Sequence, residues 1–113
     1  MVCQALEEKK GEDPVILDLR GRSSVTDILV ICSGSSDRHV QAVSENIQLE
    51  MKKQGNLPLG VEGLSGGNWT LLDYGDVIVH VFYEPIRRFY DLEGVWSDAP
   101  RLEMVDGGGP GCG

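Results

Sequence analysis

The stretch WTLLDYGDVIVHVFY, running from Trp69 to Tyr83, holds two runs of β-branched and aromatic residues, Trp69 to Asp73 and Asp76 to Tyr83. Tyr74-Gly75 joins them, and a two-residue connection carrying glycine marks a tight β-hairpin. In the second run Val77, Val79, Val81 and Tyr83 alternate with Ile78, His80 and Phe82. Both faces of that strand are therefore apolar or aromatic, which places it inside a sheet covered from two sides.

Upstream, Asp27 to Cys32 is a second short apolar run with no polar face, so it reads as another interior strand. Ser33-Gly34-Ser35-Ser36 interrupts it. Val40, Val43, Ile47 and Met51 then recur at steps of three and four, on one face of a helix. Ser36 or Asp37 caps the start of that helix, Lys52 and Lys53 suit the negative end of its dipole, and Gly55 stops it. Val15 to Leu19, bounded by Pro14 and Gly21, reads as a strand, and Gln4 to Lys10 as one or two helical turns. Asn56 to Asn68, rich in glycine, reads as a loop. Pro85 opens a helix carrying Ile86, Phe89, Tyr90, Leu92 and Trp96. The order of elements predicts an α/β fold with a mixed β-sheet flanked by helices. One domain over residues 1–98 is expected, followed by a flexible Gly-rich tail over 99–113.

With 113 residues, one domain is the natural size. Ten Lys+Arg against eighteen Asp+Glu leave a net charge of −8. The lysines are confined to Lys9, Lys10, Lys52 and Lys53, so no basic stripe is available to neutralise phosphates, and nucleic acid is not an expected direct partner. Cys3, Cys32 and Cys112 are odd in number and have no metal-ligand spacing, which suits a reducing compartment. No apolar stretch is long enough for a signal peptide or a membrane span, so a cytoplasmic location is expected.

Few residues suggest chemistry. Gly34-Ser35 between strand and helix is an arrangement that binds anions, but a turn made by Gly34 and a helix cap by Ser36 explain it better. Asp73 and Asp76 lie across a turn, three apart, and are not neighbours on one strand face. Together with Gly34 and Ser35 they make up the alternative reading, a small nucleotidyltransferase-like enzyme acting on a magnesium-bound nucleotide. His80 reads as a hydrogen-bonded core residue, and Cys32 as buried and inert.

Charge distribution says more. From Glu62 onward the acids Glu62, Asp73, Asp76, Glu84, Asp91, Glu93, Asp98, Glu103 and Asp106 face only Arg87, Arg88 and Arg101, a composition that attracts a basic partner. Trp69, Tyr74, Phe89, Tyr90 and Trp96 are interleaved with these acids, and aromatic residues are frequent interface anchors. Phe89 and Trp96 read as core; Trp69 and Tyr74 divide evenly between core and interface.

Asp27-Ile28-Leu29-Val30-Ile31-Cys32-Ser33-Gly34, Arg38-His39-Val40, Val61-Glu62-Gly63, Trp69 to Val81, and Arg88-Phe89-Tyr90-Asp91-Leu92-Glu93 with Trp96 resemble the ribosomal silencing factor (Iojap-like) family. The match runs in order from about Leu6 to Trp96. The resemblance implies a nucleotidyltransferase-like core without catalytic carboxylates, no enzymatic activity and no cofactor or metal. It further implies a homodimer that binds the large ribosomal subunit through a basic L-fourteen-type protein on the intersubunit face. There it would block joining of the small subunit and repress translation. Carried onto this sequence, the partner-binding residues are Trp69, Leu71, Asp73, Tyr74, Asp76 and Tyr90.

Overall fold

The computed structural model describes residues 11–24, 26–63 and 68–102. The expected helical turns at Gln4 to Lys10, together with Cys3, Cys112 and the glycine run from Gly107, lie outside the described residues. Among the described residues, six strands form one mixed sheet in the order β3 (Gly60–Glu62), β4 (Trp69–Asp73), β5 (Val77–Tyr83), β2 (Ile28–Gly34), β1 (Glu12–Asp18) and β6 (Arg101–Leu102). Its centre is the parallel pair β2 (Ile28–Gly34) and β5 (Val77–Tyr83), aligned from Ile28 opposite Val77 to Gly34 opposite Tyr83. These are the two runs with no polar face. Every other pairing is antiparallel, with β1 (Glu12–Asp18) on β2 and β4 (Trp69–Asp73) on β5.

Alternation along the strands divides the core in two. On one side Ile16, Val30, Cys32, Leu72, Val79 and Val81 meet Val40, Val43, Ile47 and Met51 of helix α1 (Asp37–Lys53). All four helical positions marked by the periodicity are buried. Ser36 caps α1, its hydroxyl accepting from the His39 N–H at 3.0 Å, and Gly55 follows the helix at φ +82°. Gly34 does more than turn the chain: a Cβ there would stand 2.8 Å from the Val40 nitrogen, so glycine is what lets α1 start hard against the end of β2. On the other side Leu17, Leu19, Leu29, Ile31 and Phe82 pack with Ile86 and Leu92 from the two short helices α2 (Glu84–Tyr90) and α3 (Leu92–Val95), and with Trp96 just after α3.

Several expectations are corrected here. The hairpin turn centres on Gly75-Asp76 and not on Tyr74-Gly75: Tyr74 N–H donates to Val77 O at 2.9 Å, and Gly75 takes φ +84°. The helix after Pro85 does not run on to Trp96 but breaks at Asp91. Asp91 adopts φ +47°, which aspartate tolerates better than most residues, and its carboxylate accepts from Gly94 N–H to start α3. The loop expected over 56–68 contains strand β3 (Gly60–Glu62), paired with β4. Finally, Ala99 is buried and Arg101–Leu102 form strand β6 on β1, so the chain stays in the sheet beyond the expected domain end at 98. Residues 103–113 lie outside the described residues.

Strand β1 also begins earlier than Val15. A bulge between Glu12 and Val15, with Asp13 at φ +44°, accommodates Pro14 inside a paired strand.

Candidate functional site

Strand β4 distributes the expected binding residues by alternation. Leu72 and Tyr74 face α1, whereas Trp69 belongs to the opposite side of the sheet with Phe82. Leu71 and Asp73 share the side of Trp69, since strand residues two apart point the same way. Register extends this face across three strands: Trp69 lies opposite Phe82, Leu71 opposite both His80 and Glu62, and Asp73 opposite Ile78. Helix α2 packs on β5 and β2, and it brings Tyr90 over Trp69 with ring centroids 4.9 Å apart. Trp69, Leu71 and Asp73 remain partly exposed, and Tyr90 is 48% exposed.

The structure thus brings Trp69, Leu71, Asp73 and Tyr90 together and separates Tyr74 from them. Tyr74 packs on the α1 side, where burial raises the pKa of its phenol. Asp76 occupies the turn with an exposed side chain, while its backbone carbonyl accepts from Asp27 N–H, Ile28 N–H and the Thr26 hydroxyl. That carbonyl ties the hairpin tip to the start of β2.

Two residues join the surface that the pattern of the sequence left out. Glu62 was hidden because β3 is only three residues long, too short to show alternation. Phe89, expected in the core, is 80% exposed and stands edge-on to Tyr90 at 5.3 Å. Only Ile86, Arg87 and Tyr90 share the inward arc of the seven-residue helix α2, and Phe89 falls roughly a quarter turn off it at about 100° per residue. Trp96 packs on the core as expected.

An aromatic stack underlies the surface. Phe82, fully buried, stacks on Trp69 at 5.1 Å and on His80 at 5.8 Å. Trp69 Nε1 donates to His80 Nδ1 at 2.9 Å, so His80 is the hydrogen-bonded strand residue the sequence suggested. Burial lowers the His80 pKa from 6.5 to about 4. Between those two values the unfolded chain binds more protons than the folded one, so stability must fall as pH falls. Thermal unfolding is expected to show a loss on the order of 2 kcal/mol across that interval, absent in His80→Asn. The Asp18 carboxylate, held at about 2 by its hydrogen bond with Arg20, takes up its proton in the folded chain only below this interval, and the comparison with His80→Asn isolates the histidine's share.

The constellation for a nucleotidyltransferase-like enzyme does not assemble. Gly34 ends β2 beside Tyr83, while Asp76 precedes β5 at the level of Asp27 and Ile28, so six residues of strand, about 20 Å, separate Gly34-Ser35 from Asp76. The Asp73 carboxylate accepts from Gly75 N–H at 2.8 Å within the hairpin tip. Ser35 is engaged locally, its N–H donating to His39 Nδ1 at 2.9 Å. Cys32 is fully buried, and burial pushes its thiol up to about 12, in keeping with an inert core cysteine. No helix among the described residues is long and apolar enough to cross a membrane.

A family model described as ribosomal silencing factor during starvation matches residues 1–109. Ribosomal silencing factors of Halalkalibacterium halodurans and Bacillus subtilis are 38% and 40% identical over 104 residues, covering 92% of this chain and 89% and 88% of theirs. A crystal structure of a protein from Chromobacterium violaceum superposes with a TM-score of 0.83 at 32% identity, covering 99% of this chain and 92% of that one.

Proposed function

The chain belongs to the ribosomal silencing factor family, and from that premise we propose that it docks on the large ribosomal subunit through the face built from Trp69, Leu71, Asp73, Glu62 and Tyr90. Its target there is a basic protein of the L-fourteen type on the intersubunit side, and the bound domain then stands where the small subunit would join. The observation that carries the reading is an apolar strip, Trp69, Leu71 and Tyr90, left partly open on one sheet face and bordered by the carboxylates of Glu62 and Asp73. Aromatic anchors supply contact area, and the acids select a cationic surface. Arg87 and Arg88 do not offset those acids, because they pair with Glu93 and Glu84.

No bond is made or broken in this mechanism; occupancy alone silences the ribosome. The chain acts as a homodimer in the cytoplasm. Mixing purified small and large subunits with the protein is expected to deplete the joined-ribosome peak in a sucrose gradient, and an unchanged peak would refute the proposal. Raising salt should slow encounter through screening while the apolar strip preserves residence time, so the association rate is expected to fall more than the dissociation rate rises. Calorimetry with nucleotide and magnesium should give no binding heat, in contrast to the enzyme reading.

A further inference from the structure

We propose that His80 is the positioning residue of the docking face: its Nδ1 takes the indole N–H of Trp69 and so holds that ring in the orientation presented to the partner. The inference rests on the docking role proposed above for Trp69. Trp69 sits on β4, flanked by strands on both sides but open on its outer face, and an indole has two side-chain torsions to settle. Stacking alone leaves its direction open, since contacts with Phe82 at 21° and Tyr90 at 42° are nearly the same after a half-turn of the indole about its Cβ–Cγ bond. The hydrogen bond removes that freedom. At 2.9 Å it aims the single polar atom of the indole at one nitrogen of a ring that is itself fixed.

His80 is well suited to be the fixed partner. It lies in β5, which is paired on both sides by β4 and β2, and it is only 8% exposed. Its imidazole stacks on Phe82 with an interplanar angle of 10°. Register sets His80 opposite Leu71, one diagonal step from Trp69, within reach of two aromatic side chains. Accepting at Nδ1 requires the neutral ring with its proton on Nε2, because a protonated imidazole has two donors and no acceptor. Burial favours the neutral form. Inward, polar pairing of Trp69 with a strand histidine also spares the partner from having to satisfy the indole N–H on docking.

The test compares His80→Leu, His80→Asn and Trp69→Ala with the wild-type chain, reading cosedimentation with purified large subunits and the indole N–H resonances. Only Trp69 and Trp96 contribute such resonances, so each is assignable by one substitution. His80→Leu is expected to shift the Trp69 signal and weaken binding about fivefold, the cost of re-ordering one freed side chain on docking, while His80→Asn, which keeps an acceptor near the Nδ1 position, stays within about twofold. Nitrogen shifts of the wild-type His80 ring should place its proton on Nε2, a readout independent of how any variant folds. A proton on Nδ1, or wild-type binding by folded His80→Leu while Trp69→Ala loses binding, would overturn the positioning role. Wild-type binding by Trp69→Ala would instead overturn the docking face itself, and the positioning role with it.

Discussion

Trp69→Ala is expected to weaken association with purified large subunits by between about fivefold and several hundredfold, the equivalent of about 1 to 4 kcal/mol. The indole is the hub of the face: it touches Phe82, Tyr90 and His80, and it is the largest side chain on the open part of β4. Its removal takes away the central apolar area and also the nearest support of Tyr90, which keeps only the longer contact with Phe82 at 6.4 Å and the edge of Phe89. Loss of contact and loss of preorganisation act in the same direction, so the effect should exceed that of trimming Asp73 or Glu62 at the border. Because Trp69 also packs on the core cluster around Phe82, the variant must first show a cooperative melt. A folded Trp69→Ala protein that cosediments as tightly as wild type would remove Trp69 from the interface.

Glu93→Ala is expected to destabilise the fold by about 3 kcal/mol, a large share of the roughly 5 to 15 kcal/mol typical of a whole domain. Arg87 is 8% exposed, and its guanidinium is tied at three points. Nε and Nη2 donate to Glu93 Oε1 at 2.9 and 2.5 Å, and Nη1 donates to the Ser33 hydroxyl at 2.8 Å. Nη1 also reaches the Glu12 carbonyl at 3.4 Å, so one side chain of α2 links α3, β2 and β1. Deleting the carboxylate leaves a buried cation without its counter-charge, which costs more than the pair contributed. Urea unfolding should register the loss, and the double variant Arg87→Met with Glu93→Leu should recover most of it, since no buried charge then remains. A change below about 0.5 kcal/mol for Glu93→Ala would show that water already compensates Arg87.

Much of the fold was readable in the residues because the signal was local. The Val40, Val43, Ile47, Met51 spacing and the Ser36 cap belong to one helix, and the helix needs no partner to reveal its inward face. The doubly apolar runs of β2 and β5 announced the sheet centre in the same way. Strands β3 and β6 gave no such sign. With three and two residues they carry no usable period, and they exist because the edges of β4 and β1 offer unpaired backbone groups to whatever chain passes. Phe89 misled for a related reason: its neighbours suggested a long helix, whereas the break at Asp91 confines α2 to a single inward arc occupied by Ile86, Arg87 and Tyr90.

Among the residues proposed for docking, Trp69, Leu71 and Asp73 were named by the family resemblance and share one face of β4 by simple alternation, and the acidic excess of the second half already suited a cationic partner. Both follow from chain-local chemistry: a strand's faces repeat every two residues, and charge is carried wherever the residue goes. Tyr90 above Trp69, Glu62 beside Leu71, the Trp69 to His80 hydrogen bond and the exile of Tyr74 to the α1 side depended on register between strands and on where α2 comes to rest. Those relations join residues far apart along the chain, and only the packing of the sheet against its helices selects one alignment among the many that the same periodicities allow.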